Sequence, residues 1–167
     1  MMTGWSGKIR SLGGGFTLYE LVIVTAIISA AVSVCLPYAT RSRVAEEVRQ
    51  EASNIRETLI YGLRLAEGSG KNVRVVFDFK GGRYCLQVED EGDRFEVSER
   101  FPRGWRNLSD GIKFVESGGM EVDGEFRFVE FSRDVEWPRG EVSVVSSEVS
   151  VDIIVEGRDV RIEEIGI

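Results

Sequence analysis

Hydrophobic and polar positions divide the chain into three successive patterns, of which the first is an uninterrupted apolar run. Between Glu20 and Arg41 lie 20 consecutive uncharged residues, mostly Leu, Val, Ile and Ala. A helix rises ~1.5 Å per residue, so this run covers ~30 Å, about the thickness of the hydrocarbon core of a bilayer. The first pattern therefore predicts a helix long enough to span a membrane.

The second pattern, in residues 41–68, has apolar residues at spacings of three, four and seven. This spacing predicts an amphipathic helix whose apolar stripe packs on a domain. Gly68 and Gly70 are typical of the end of such a helix. Pro37 stands between the two segments, so we expect one long helix with a kink at Pro37. The stripe consists of Val44, Val48, Ile55, Leu59, Leu63 and Ala66.

The third pattern begins at Lys71 and consists of short runs rich in Val, Phe and Ile, separated by Gly and Pro turns. Such runs predict seven or so β-strands. The expected fold class is α+β, with the long helix packed on a small antiparallel sheet or sandwich. The runs are NVRVVFDF, RYCLQVE, IKFVES, EFRFVEFS, EVSVVSS, VSVDIIVEG and DVRIEE.

Composition and charge exclude several classes of function. The formal charge of -7 argues against a generic binder of nucleic acid or anionic membrane, since both need a basic surface. The chain has no histidine, the commonest general base and zinc ligand, and no catalytic constellation is found. Cys35 and Cys85 are expected to be two small buried thiols without a disulfide between them.

Glu20 is the unusual residue of the N-terminal region, because a carboxylate inside a membrane is costly and points to a function. Lys8 and Arg10 precede the apolar run, which is typical of the cytoplasmic side. A conventional secretory signal would be cut after its apolar stretch, yet here the stretch continues into a helical pattern. A plain membrane anchor explains the apolar run and leaves Glu20 without a reason.

The segment GFTLYELVIV resembles the class III signal of type IV pilins and type II secretion pseudopilins. The resemblance implies that a prepilin peptidase removes a leader, residues 1–15, by cutting between Gly15 and Phe16. It also implies N-methylation of Phe16, and it makes Glu20 the fifth residue of the mature chain. Pro37 matches the proline that commonly interrupts the pilin helix.

A charge pair gives a physical reason for Glu20. A buried carboxylate is tolerated with a partner, and cleavage would create an α-amino group on Phe16, four residues away. In a stack of subunits, Glu20 of one copy would meet the Phe16 amine of the next. We therefore expect Glu20 to act in assembly.

The C-terminal region resembles the H-type minor pseudopilins (GspH) and the related FimT minor pilins. The strand VRVVFDF directly after the helix and the final hairpin turn at Gly157 and Arg158 carry this resemblance. Glu20 argues against the K-type tip pseudopilin, which departs from the pattern at this position. A major pseudopilin would have a shorter head with a recognisable calcium loop.

Three further motifs have ordinary structural explanations. GSGKN at 68–72 lacks the earlier glycine and the final Ser or Thr of a phosphate loop, and it predicts the loop that ends the helix. The acidic cluster could bind calcium, but a solvated hairpin turn is the expected structure. In residues 94–106 arginines alternate with aromatic residues, a pattern that can bind single-stranded DNA or a protein. Glu96 and Glu99 weaken this basic pattern. We therefore expect a surface loop with one buried tryptophan. The acidic cluster is Glu89, Asp90, Glu91 and Asp93; the mixed segment has Arg94, Arg100, Arg103, Arg106, Phe95, Phe101 and Trp105.

The resemblance implies a leader at 1–15, a transmembrane and polymerisation helix at 16–40, an amphipathic half-helix at 41–68 and a periplasmic head at 69–167. The implied function is that of a type II secretion minor pseudopilin in the bacterial inner membrane, without cofactor or metal and without a nucleic-acid partner. Its implied partners are the prepilin peptidase, other pseudopilins or pilins, and the secretion machinery. A FimT-like minor type IV pilin and a membrane-anchored β-domain enzyme or binding protein are the alternatives.

Overall fold

The computed structural model describes residues 17–90, 94–100, 103–132 and 138–166, and the side chains of 36–42, 116–117 and 166 are not described. Gly15 and Phe16 therefore lie outside the described residues. The chain divides into two compact units, Met1–Ala39 and Thr40–Ile167.

The long helix α1 spans Leu18–Ser69, a length of 52 residues that includes Pro37. The kink expected at Pro37 stays a prediction. At the C-terminal end, Gly70 has a φ of 68°, a left-handed conformation that glycine adopts without steric cost. Its N–H donates to the carbonyl of Ala66 at 3.0 Å, so the helix ends where its glycines predict.

Among the described residues ten strands follow the helix, and every one of the seven predicted strands is present. The three additional strands, β3, β4 and β6, are short. Residues 94–97, predicted as surface loop, form β3 instead, because each of them faces a residue of β2. The strands are β1 Val73–Asp78, β2 Arg83–Asp90, β3 Arg94–Val97, β4 Arg106–Asn107, β5 Lys113–Gly118, β6 Glu121–Asp123, β7 Phe126–Phe131, β8 Arg139–Val145, β9 Val149–Glu156 and β10 Asp159–Gly166.

The strands form two antiparallel sheets. The six-stranded sheet has the order β3-β2-β1-β7-β6, with β4 pairing beside it on β2, and the four-stranded sheet has the order β10-β9-β8-β5. In the centre of the first sheet, Val75 pairs with Leu86 on one side and with Val129 on the other. Side chains alternate between faces, so Val75, Leu86 and Val129 all lie on the inner face, in the main core.

The second half of α1 supplies one wall of this core. Val48, Ile55, Leu59 and Ala66 of the predicted stripe are buried, while Val44 and Leu63 are half-buried. Ala52, Thr58 and Gly62 are also buried, which the apolar spacing did not predict. A Cβ atom on Gly62 would lie 3.0 Å from Leu86 Cδ1 and 3.4 Å from the Phe131 ring, so at this position the helix lies very close to the six-stranded sheet.

Polar contacts join the same half of the helix to the C-terminal hairpin. Arg56 Nε donates to the carbonyl of Val160 at 2.9 Å. The Arg49 guanidinium binds both carboxylate oxygens of Glu164, at 2.8 and 3.1 Å. This bidentate pair raises the pKa of Arg49 and lowers the pKa of Glu164. The α+β fold with a helix packed on antiparallel sheets is therefore confirmed.

The two cysteines occupy different environments. Cys85 is buried on β2, as expected, and burial raises its pKa to about 12. The expectation of a buried thiol is wrong for Cys35, which is exposed because no other element of its compact unit covers this part of the helix. Both are free thiols, in agreement with the predicted lack of a disulfide between them.

Candidate assembly helix and head surface

Helix α1 begins with a capping box formed by Thr17 and Glu20. The Thr17 N–H and hydroxyl each donate to Glu20 Oε2 at 2.9 Å, and the Glu20 N–H donates to Thr17 Oγ1 at 3.2 Å. Two backbone N–H groups of the first turn are thereby satisfied reciprocally. Glu20 thus has a partner within its own chain, in addition to any that it finds in an assembly.

The capping role of Thr17 was not among the sequence predictions, although its signal is present in the sequence. The letters TLYE fit the pattern of Ser or Thr followed three residues later by Glu, which is a helix-start signature. The pattern places the first helical residue, Leu18, two positions after Phe16. Both hydrogen bonds that Thr17 donates to the Glu20 carboxylate are accepted by Oε2, and Oε1 accepts neither of them.

The apolar segment Leu18–Cys35 has a mean hydropathy of 2.2 and is wholly exposed within its unit. By length and composition it is able to cross a membrane. Its three Thr and Ser hydroxyl groups are satisfied by the helix itself, since Thr25 donates to the Leu21 carbonyl, Ser29 to that of Thr25, and Ser33 to that of Ser29. These three hydroxyl groups therefore need no water, which suits an apolar environment.

The six-stranded sheet carries a second apolar cluster on its outer face, away from the main core. Val76, Cys85 and Phe128 are buried there, and Val97, Trp105 and Phe126 pack on them. Because Val76 pairs with both Cys85 and Phe128, the buried residues form one row across three strands. The outer face is thus partly covered by the chain itself.

Arg74 lies at the centre of this outer face. Its guanidinium stacks on the Phe95 ring at 4.1 Å, its Nε donates to Gln87 Oε1 at 2.7 Å, and Nη1 lies 3.6 Å from Asp123 Oδ2. Stacking on an aromatic face stabilises a cation whose side chain is only 18% exposed. Arg74 therefore ties β3 and β6, the two outer strands, to the centre of the sheet.

A second arginine, Arg83, fixes the turn between β1 and β2. It lies over the Trp105 ring at 4.7 Å and donates from Nε to Asp78 Oδ2 at 2.8 Å. Asp78 Oδ1 accepts from the Gly81 N–H at 2.7 Å. The bond from Gly81 and the neighbouring Arg83 charge together lower the pKa of Asp78.

Between Trp105 and the β6–β7 turn the outer face forms an open groove of about 350 Å³. Its floor contains Val76 and Phe128, and Asp123 and Glu125 stand at its lip. Arg74 also lines the groove, and its guanidinium lies 5.2 Å from the Phe128 ring and 3.6 Å from Asp123, so the chain itself supplies a cation for these groups.

The arginine and aromatic residues of 94–106 are separated by the fold. Phe95 and Trp105 turn onto the outer face, whereas Arg94, Arg100, Arg103 and Arg106 are exposed. The predicted buried tryptophan is half-buried, and Phe101 lies outside the described residues. The arginines therefore line an exposed edge and do not alternate with aromatic rings on one surface.

The remaining sequence candidates have structural positions. GSGKN contains the end of the helix, whose last residues are Gly68 and Ser69, and Lys71 Nζ lies 3.9 Å from Asp90 Oδ1. Glu89 and Asp90 belong to β2, while Glu91 and Asp93 lie outside the described residues. Within the described part of the chain, no group of three or more His, Cys, Asp or Glu side chains could hold a metal ion.

Similarity to a known protein is found in the structure and not in the sequence. The sequence matches no protein-family model and no curated protein. The structure is similar to that of the minor pseudopilin EpsH from the Type 2 Secretion System of Vibrio cholerae, with a TM-score of 0.58 and 11% sequence identity. The match covers 72% of this chain and 97% of EpsH. The chain therefore has the fold of a GspH-like minor pseudopilin.

Proposed function

We propose that this protein is a minor pseudopilin of a type II secretion system, a structural subunit and not an enzyme. The observation that carries the proposal is the combination of an EpsH-like head with an exposed apolar helix capped by Thr17 and Glu20. The subunit would be anchored once in the bacterial inner membrane, with its head in the periplasm. It would assemble with other pseudopilins into the pseudopilus that drives protein export.

Processing by the prepilin peptidase between Gly15 and Phe16 is the first part of this function. The capping box supports the position of the cut, because helix α1 begins at Leu18 and would then start almost at the new N-terminus. Methylation would follow on the Phe16 amine. The removed leader contains Lys8 and Arg10, which would hold it on the cytoplasmic side.

Glu20 would have two roles in the mature subunit. Within the chain, its Oε2 accepts from Thr17. Between subunits, Oε1 would accept from the Phe16 amine of a neighbour, which compensates both charges in an apolar environment. A subunit added out of register would leave one charge unpaired, at a cost of several kcal/mol.

Deletion of the prepilin peptidase tests the processing step. With the enzyme present, intact mass should equal that of residues 16–167 with one added methyl group; without it, the chain should keep its leader. Gly15→Leu should block cutting in the presence of the enzyme, whereas Gly13→Leu should not. An unchanged mass in both backgrounds would refute the proposal.

Three variants separate the roles of Glu20. Glu20→Ala should insert into the membrane and be processed, yet fail to enter sheared filaments. Thr17→Val removes the hydroxyl of the capping box and keeps the carboxylate, so it should still be incorporated. Glu57→Ala, an exposed glutamate in the head half of the same helix, is the matched control. Normal incorporation of Glu20→Ala would contradict the charge-pair role.

The exposed arginines of 94–106 favour one alternative, a FimT-like minor type IV pilin that contacts DNA. That function predicts salt-dependent binding of single-stranded DNA by the full chain in detergent, and its loss in Arg100→Glu. The net charge of -7 argues against this alternative.

A further inference from the structure

The charges around the groove on the outer face are balanced within the chain. Among the described residues that line it, the charged ones are Arg74, Asp123 and Glu125. Asp123 lies 3.6 Å from the guanidinium of Arg74, and Glu125 pairs with Lys80. Because each carboxylate at the lip already faces a cation, the groove is suited to an uncharged ligand.

Two half-buried aromatic rings line the same groove. The rings of Trp105 and Phe126 have centroids 5.8 Å apart and planes inclined by 35°. Arg83, which lies over the Trp105 ring at 4.7 Å, is not one of the residues that line the groove, so it covers the indole from outside. The two adjacent rings therefore offer a ligand a flat apolar surface.

The polar side chains beside these rings keep hydrogen-bonding capacity for a ligand. The Asp123 side chain is 65% exposed, and its 3.6 Å contact with Arg74 is longer than a hydrogen bond, so its carboxylate can still accept. Arg74 uses Nε for Gln87 and has further N–H groups on the guanidinium. A matching ligand has an apolar face for the rings, and donors and acceptors around its edge.

A sugar ring has this combination of an apolar face and a polar edge. A pyranose whose hydroxyl groups are all equatorial presents axial C–H groups on both faces and hydroxyl groups around its edge. A phenylalanine side chain of a peptide has the apolar face and lacks the polar edge. The groove measures about 350 Å³, near the lower end of the ~300–1,000 Å³ of ligand pockets, and it is open to a chain that continues into solvent.

We propose that this groove binds a neutral β-linked polysaccharide chain. One sugar ring stacks on Trp105 and Phe126, and its hydroxyl groups donate to Asp123 and accept from Arg74. This binding site goes beyond the proposed role of the chain as a filament subunit. It is also independent of that role, because processing is read from intact mass and assembly from sheared filaments.

Isothermal titration calorimetry of the full chain tests the site, in a polyoxyethylene detergent that has no sugar head group. The probes are cellohexaose, its N-acetylglucosamine counterpart and, as an anionic comparison of the same linkage, its glucuronic acid counterpart. We expect saturable binding of at least one neutral hexamer, several-fold tighter than that of the anionic one. Binding of neither neutral hexamer, or equal binding of the anionic one, would overturn the proposal.

Variants at the groove assign the binding to the named side chains. Trp105→Ala should weaken binding of the neutral hexamer about ten-fold, whereas Trp105→Phe keeps a ring and should retain most of it. Asp123→Ala should weaken it several-fold. The matched control is Asp159→Ala, an exposed aspartate at the start of β10 in the other sheet, which should bind like the wild type.

Two results with these variants would contradict the site. One is undiminished binding in Trp105→Ala and Asp123→Ala, and the other is an equal loss in the Asp159→Ala control. Near-ultraviolet circular dichroism shows whether each variant is folded, and the exposed position of Asp123 keeps the test decisive if Trp105→Ala does not fold. Displacement of the hexamer by an equal concentration of a blocked neutral peptide with one central phenylalanine would also overturn the proposal, because the groove would then select an apolar ring without a polar edge.

Discussion

The two halves of helix α1 belong to one continuous helix but differ in burial: the first half is exposed and the second half is packed in the core of the head. In Leu18–Cys35 every residue is exposed, although the mean hydropathy is 2.2. In the second half, Val48, Ile55 and Leu59 are 0% exposed inside the core of the head. The first half is therefore more apolar overall and yet buries nothing within its own unit.

This difference separates two uses of hydrophobic surface. The second half packs one stripe against the sheets and keeps its other faces polar, so its stability is supplied by its own chain. After Glu20 the first half carries no charged residue up to Cys35, which is typical of a helix that packs in lipid or among other helices. Mutations in the two halves should accordingly be detected by different measurements.

Matched isoleucine truncations should have the largest effect and give the strongest test of this comparison. Ile55→Ala should lower the free energy of unfolding of the head by about 2–5 kcal/mol, since it leaves a cavity in the core. Ile27→Ala, at a position 63% exposed, should change it by less than about 0.5 kcal/mol. Urea unfolding of the full chain in detergent, followed by near-ultraviolet circular dichroism, measures both. Equal losses would show that the first half contributes to the head core, contrary to the comparison.

Substitution of Asp78 should have an intermediate effect on the free energy of unfolding of the head. In Asp78→Asn the amide oxygen can still accept from Gly81, but the charge opposite Arg83 is lost, at a cost of about 1–3 kcal/mol at pH 7. Glu125→Gln, which breaks an exposed pair with Lys80, is the control and should have no measurable effect. A smaller loss for Asp78→Asn than for Glu125→Gln would contradict the structural role of Asp78.

The same residue predicts the acid sensitivity of the head. The folded-state pKa of Asp78 is lowered, first by the bond from Gly81 and then by Arg83. The ionised carboxylate therefore makes its full contribution to the free energy of unfolding above the unfolded-state pKa of about 3.9, and this contribution is lost as the pH falls towards the folded-state pKa. Unfolding free energies of wild type and Asp78→Asn should converge below about pH 4. A constant difference across this range would show that the carboxylate charge is not responsible.

Two glycines of α1 provide the smallest and most local test. Gly68→Ala has open space around the new Cβ and should stabilise the helix by about 0.5 kcal/mol. Gly62→Ala would bring its Cβ 3.0 Å from Leu86, so crowding should cancel this gain or reverse it by roughly 1 kcal/mol. Urea midpoints compare the two variants. Equal stabilisation would mean that the helix is less closely packed on the sheet than the structure describes.

Much of the architecture could be predicted from local patterns. The apolar run, the stripe of the second half, the glycine at the end of the helix and seven strands each follow from neighbouring residues. The short strands β3, β4 and β6 could not be predicted, because strands of two to four polar or mixed residues exist only through the partner strand beside them. Thr17 was predictable, since its capping signal lies entirely within TLYE.

The sequence by itself determined which segments are helical, which are extended and where an apolar helix begins with a carboxylate, because these properties depend on residues close together in the chain. Tertiary structure alone decided that Arg74 stacks on Phe95, that Gly62 is needed beside Leu86, and that Arg83 lies over Trp105. Such contacts join residues from different strands, and strand order and register are set by packing of the whole core.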